Sequence, residues 1–135
     1  MFKFDFTAAK VDSLNVLVLA FIGDAAHTLF IRTRLCGASD GKAGALHSRA
    51  KKYVSAKGQA AALDTVAPML TEEEADICRR ARNHHNKTAA KNADLATYKK
   101  ATAFEALLGY HYLLGNENRF NELIEKSLAQ TSWTK

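Results

Sequence analysis

Two acidic residues stand in apolar sequence, each with a glycine close by. Asp24 follows Gly23 in Leu17-Val18-Leu19-Ala20-Phe21-Ile22-Gly23-Asp24-Ala25-Ala26. Glu105 precedes Gly109 in Ala101-Thr102-Ala103-Phe104-Glu105-Ala106-Leu107-Leu108-Gly109-Tyr110. The nearest cations are Lys99 and Lys100, upstream of Glu105. An ionised carboxylate taken out of water is costly unless it is paired, protonated or bound to metal. Either acid alone reads equally well as a helix cap or half of a structural ion pair. Together they point to a shared site, in which one divalent cation would offset their burial and supply chemistry.

A second constellation is basic. Residues 79–92 hold Arg79, Arg80, Arg82, His84, His85, Lys87 and Lys91, interleaved with Asn83, Asn86, Thr88 and Asn92, and contain no acid. Arginine offers a planar fork to phosphate, while Asn and Thr offer neutral donors. The bland alternative is a solvated loop whose charges serve solubility; the complete lack of acids favours phosphate. A further basic stretch runs through Lys42, Arg49, Lys51, Lys52 and Lys57, with His47 beside it. His47 is read either as a backbone-phosphate contact or as an ordinary surface histidine. The net charge of +5 fits an anionic partner, with nucleic acid the default.

Other chemistries find little support. Adjacent side chains such as His84-His85 rarely face one ion, and neither CxxC nor HExxH accompanies them, so zinc is set aside. His27 and His111 lie in mostly apolar segments and read as structural. No nucleophile motif or glycine-rich phosphate loop is present. Aromatics are few and fall at core spacing, which argues against base stacking on single strands and for duplex backbone recognition. Cys36 and Cys78 are far apart, as expected of reduced thiols in a cytoplasmic protein. No uninterrupted apolar run is long enough for a membrane span, and the N-terminus lacks a signal-peptide pattern.

The elements that must position these residues are helical. The pattern predicts an all-α fold in one domain over residues 1–135. A helix capped by Asp12 or Ser13 is expected to run to about Leu35 and stop at Gly37. Its first half is apolar all round, which predicts a buried central helix. Gly23 inside it costs about 1 kcal/mol of helix propensity relative to Ala, a cost that a tight helix contact or close ligand approach would explain. Further helices are expected over 45–53, over 56–67 up to Pro68, from the capping box Thr71-Glu72-Glu73-Glu74 to about Arg82, over 95–114, and over 117–130. Residues 83–93 read as a loop.

The motifs resemble those of a known family. Phe21-Ile22-Gly23-Asp24-Ala25 is similar to the core of the ribonuclease III signature, and Phe104-Glu105-Ala106-Leu107-Leu108-Gly109 to its second acidic motif. The Mini-ribonuclease III subfamily is the closer match, sharing Leu46-His47, Val54-Ser55-Ala56-Lys57 with Gln59-Ala60, Arg82-Asn83, Lys91-Asn92 with Asp94 and Tyr98, and Thr102 to Tyr110. Standard ribonuclease III carries further acids at the positions of Ala20 and Thr102; both changes mark the subfamily. The resemblance implies a homodimeric endonuclease acting on double-stranded RNA and leaving 5′-phosphate and 3′-hydroxyl ends. It implies Mg2+ as cofactor, with Mn2+ as a substitute, held by Asp24 and Glu105 as catalytic metal ligands. Asp94 is a candidate additional ligand or supporting group. Lys57, Arg79, Arg82, Asn83, Lys87, Lys91, Asn92 and His47 are candidate RNA contacts. The implied role is cytoplasmic maturation of large-subunit (23S) ribosomal RNA precursor, without a membrane, with an accessory ribosomal protein as a candidate partner. The chain ends at Lys135, so no separate double-stranded-RNA-binding domain is expected. Two rivals are a non-catalytic, ribosome-associated RNA-binding module on the same fold and a helical interaction protein with a structural acid pair. Retention of both acids argues against the first, and the acid-free basic loop against the second.

Overall fold

The structure, a computed structural model, describes residues 4–38, 41–84 and 94–129, and among these it is all-α. Seven helices follow in order: α1 Ala8–Asp12, α2 Val16–Ala38, α3 Ala43–Val54, α4 Ala56–Val66, α5 Glu72–Asn83, α6 Leu95–Leu114 and α7 Glu117–Ser127. A 3-10 turn over Ala67–Met69 carries Pro68 and closes α4.

The expected first helix is α2, which starts later than Asp12 or Ser13, and a short helix not expected from the sequence, α1, precedes it. Thr7 caps α1, and Ser13 ends it by donating its hydroxyl to the Lys10 carbonyl at 2.6 Å. Asn15 then opens α2, its Oδ1 accepting from the Leu17 N–H at 2.8 Å. The other boundaries depart less. Gly37 lies in the last turn of α2, Asn83 closes α5 instead of opening a loop, and α7 ends at Ser127. Thr71 and Glu74 form the expected capping box, and Gly115 ends α6 in the left-handed conformation at φ 73°.

Helix α6 is the axis of the fold, its residues Ala101–Tyr110 almost wholly buried against α2, α4, α5 and α7. Its closest neighbour is α2. Gly23 and Gly109 make the crossing possible. A β-carbon on Gly109 would stand 1.9 Å from the Leu19 carbonyl oxygen, so the two backbones touch directly. The tight contact expected at Gly23 is therefore a contact with another helix.

One expectation for α2 is corrected. It is not buried all round: Leu19, Gly23, Ala26, His27, Ile31 and Leu35 face the core, while Val18, Phe21, Ala25 and Leu29 are exposed. An apolar sequence does not distinguish a core-facing side from one left open. The helix is also long and apolar enough to cross a membrane by length and composition, with mean hydropathy 1.5, because averaging dilutes its few polar residues. Here it packs against α6.

Candidate active site at the crossing of two helices

The glycine contact brings Asp24 and Glu105 together. Gly23 abuts the backbone of Glu105, so the residue after the glycine and the glutamate lie at the same level of the crossing. Asp24 is exposed, although its sequence surroundings are apolar, whereas Glu105 is only partly open. Burial, then a hydrogen bond and the like charge of Asp24, push the Glu105 carboxyl up to about 8, and a hydrogen bond from Gln59 works in the opposite direction. Lys100 does not relieve the pair; its Nζ sits 3.0 Å from Asp64.

Two further side chains complete the site. Gln59, on α4, is buried, with its Nε2 3.4 Å from Asp24 Oδ1 and 3.3 Å from His27 Nδ1. His27, one turn after Asp24 on α2, is buried edge-on against Phe104 at a centroid distance of 5.2 Å. Burial lowers its pKa to about 4 against the pull of Asp24, so the ring is neutral at pH 7. The structural reading of His27 fits this placement, but sequence reasoning did not single out Gln59 as part of the site. Its signals were its place among the residues shared with the subfamily and a lone amide in the alanine-rich run of α4.

The donor set suits a hard cation. Mg2+ is commonly held by one or two carboxylates, with water and phosphate oxygens filling the remaining positions. Asp24 and Glu105 supply the carboxylates, and the solvent-open side of Asp24 leaves room for the rest. Among the described residues no group of three or more His, Cys, Asp or Glu forms a closed cage. Two adjoining carboxylates, one of them shifted up by burial and its neighbour's charge, form a donor set that a cation's charge would relieve. The acids present thus fit a magnesium ion.

Asp94 lies elsewhere. It caps α6, its Oδ1 accepting from the Ala96 N–H at 3.0 Å and its Oδ2 from the Thr97 hydroxyl at 3.0 Å. Eleven residues separate it from Glu105, about 16 Å of helix at the usual rise. Within one protomer it cannot share an ion with Asp24 and Glu105, which corrects its expected role as an added ligand. Ala20 and Thr102 are buried, and Thr102 donates its hydroxyl to the Tyr98 carbonyl.

Of the candidate RNA contacts, Lys57 and His47 are exposed on α4 and α3, and Arg79, Arg82 and Asn83 are exposed on α5. Lys87, Lys91 and Asn92 lie outside the described residues. The basic segment is less free of acid than its sequence implies. Asp76, just before it, sits 3.4 Å from Arg79 and 3.1 Å from Arg80. Arg82 makes no ion pair among the described residues.

Comparison with known proteins agrees with this geometry. A ribonuclease III domain matches residues 17–116, from α2 to the start of α7, and so takes in both carboxylates. Mini-ribonuclease 3 of Brevibacillus brevis is 47% identical over 115 residues, 85% of this chain and 86% of that one. Mini-ribonuclease 3 of Enterococcus faecalis is 45% identical over 123 residues, 90% of this chain and 93% of its own. A crystal structure of a Fusobacterium nucleatum protein superposes with a TM-score of 0.80 at 32% identity, covering 88% of this chain and 95% of that one. On fold, matched residues and relatives together, the chain belongs to the ribonuclease III family of endoribonucleases, in its Mini-ribonuclease 3 group.

Proposed function

We propose that the protein is a magnesium-dependent endonuclease that cuts double-stranded RNA as a homodimer, in the cytoplasm, with precursor large-subunit ribosomal RNA as substrate. The observation that carries this reading is the meeting of Asp24 and Glu105 at the glycine-lined crossing of α2 and α6. Asp24 and Glu105 would hold the ion, with the open side of Asp24 facing the phosphodiester. When bound, Mg2+ would supply a nucleophilic water near neutral pH and charge stabilisation for the leaving oxygen. Exposed cations on α4 and α5, Lys57 and Arg82 among them, grip the duplex backbone and set its register over the carboxylates.

The dimer is supported by the open apolar side of α2. Phe21 is 79% exposed, and Val18 and Leu29 each 45%. These residues recur at helical spacing and flank Asp24, so a second copy covering them stands next to the site. Two sites related by a twofold would address the two strands of one duplex.

The direct test is incubation with a duplex RNA carrying the precursor ends, with and without Mg2+, followed by end-group analysis. Cleavage that needs the metal and leaves 5′-phosphates is expected. Equal cleavage of single strands, or cleavage surviving full chelation, would contradict the reading.

A further inference from the structure

The site has one component that neither its acids nor its basic surface accounts for. Gln59 is 2% exposed; its uncharged amide bonds Asp24 at 3.4 Å and lies close enough to Glu105 to draw that carboxyl's pKa down. The same amide nitrogen lies 3.3 Å from Nδ1 of His27, itself 1% exposed and braced by Phe104. A primary amide carries two N–H donors and one acceptor. It can therefore orient anionic oxygens without adding a positive charge that would compete with a cation. A lysine at this place would neutralise the pair, and a glutamate would add a third negative charge. The positions that carry acids in standard ribonuclease III contribute nothing here, since Ala20 has no polar side chain and Thr102 donates its hydroxyl to its own helix.

We propose that Gln59, seated by His27, is a positioning residue that holds Asp24 and Glu105 in the orientation in which two carboxylates alone take up a divalent cation. This rests on the two-carboxylate metal reading above. Hydrogen-bonding partners of metal ligands generally contribute about 10–100-fold in metal affinity or activity.

The experiment titrates RNA-free protein with Mn2+ by calorimetry, comparing wild type, Asp24→Asn and Gln59→Met, with circular dichroism to establish folding. Asp24→Asn should lose Mn2+ binding. Gln59→Met should bind Mn2+ about 10–100-fold more weakly. Its kcat on duplex RNA should fall at fixed Mn2+ and recover as Mn2+ is raised, while KM for RNA stays unchanged. A merely structural residue would give no recovery with metal. If Gln59→Met does not fold, Gln59→Asn, a shorter amide, carries the same readings. Wild-type Mn2+ affinity in a folded Gln59 variant would overturn the inference and leave the metal reading standing. Wild-type affinity in Asp24→Asn would overturn both.

Discussion

Gly23 lies so close to Glu105 that a β-carbon on the glycine would stand 1.7 Å from the glutamate's main-chain oxygen. Backbone atoms cannot rotate away as a flexible side chain would, so the helices must separate to admit even a methyl group. Gly23→Ala should therefore destabilise the fold by about 1–3 kcal/mol or more, despite a gain of about 1 kcal/mol in helix propensity. It should also separate the carboxylates. Chemical denaturation and cleavage assays check both effects; a variant as stable and active as wild type would show that the crossing is looser than the structure has it.

The Asp24–Glu105 pair ties stability to pH in a definite direction. Glu105 titrates near its ordinary value of 4.5 when unfolded and at about 8 when folded. Between those values the folded state holds a proton that the unfolded chain has lost. Metal-free stability should thus fall as pH rises from about 4.5 to about 8 and then level off. Burial is the larger cause of the shift, so Asp24→Asn, which removes the like charge, should narrow this pH range from its upper end while reducing cleavage by orders of magnitude. Urea unfolding at several pH values, with activity measured in parallel, reads both. An unchanged pH range in Asp24→Asn would mean that the two carboxylates do not interact.

Glu74 behaves in the opposite sense. Although burial raises its carboxyl, hydrogen bonds from Arg119, the Thr71 backbone and His111 outweigh that and hold it at about 2. Arg119 reaches its two oxygens at 2.7 and 2.8 Å, and His111 Nε2 lies 2.6 Å away. Its contribution is present above pH 4.5 and lost as pH falls toward 2. Glu74→Ala should cost about 1–3 kcal/mol, because Arg119 and the buried His111 lose their shared acceptor while Arg119 keeps Glu122 at 2.8 Å. Cleavage per folded molecule should be retained, since Glu74 is not part of the carboxylate site.

Local rules made much of this legible in the chain. Thr71 and Glu74 announced a helix start three residues apart, and Gly115 announced a stop. What joins distant segments was not readable in the same way. The capping box revealed Glu74 but not Arg119, which is 45 residues away. Gly23 signalled a close approach without naming Glu105 as the neighbour. Gln59 was hidden because an amide has no charge to look out of place among alanines. Asp24 was singled out for its apolar surroundings, yet its exposure was not foreseen, since the apolar residues around it face two sides of one helix and only one side is core.

The basic face should respond to a single acid. Asp76 neutralises Arg79 and Arg80 through exposed pairs, and such pairs contribute only about 0–1 kcal/mol, so RNA phosphates can displace them. Asp76→Asn should tighten duplex binding at low salt. Arg82→Ala should reduce the slope of log affinity against log salt by about one unit, and Arg79→Ala by less. Affinity measured across a salt series decides. Equal slopes in all three variants would place the RNA on another face.

The exposed side of α2 predicts an assembly that can be taken apart without unfolding the protomer. Phe21 and Leu29 are largely open in the single chain, so Phe21→Gln with Leu29→Gln should leave protomer stability within about 0.5 kcal/mol per site. If a second copy covers this face, the double variant should lose much of the apolar area that holds the dimer and shift to monomer mass by light scattering at micromolar concentration. Each monomer would retain Asp24, Glu105 and Gln59. It should therefore still cut, but one strand at a time, turning a duplex break into nicks. Retained dimer mass in the double variant would mean that the copies meet elsewhere. A wild-type monomer that still cuts both strands in one encounter would rule out the twofold arrangement altogether.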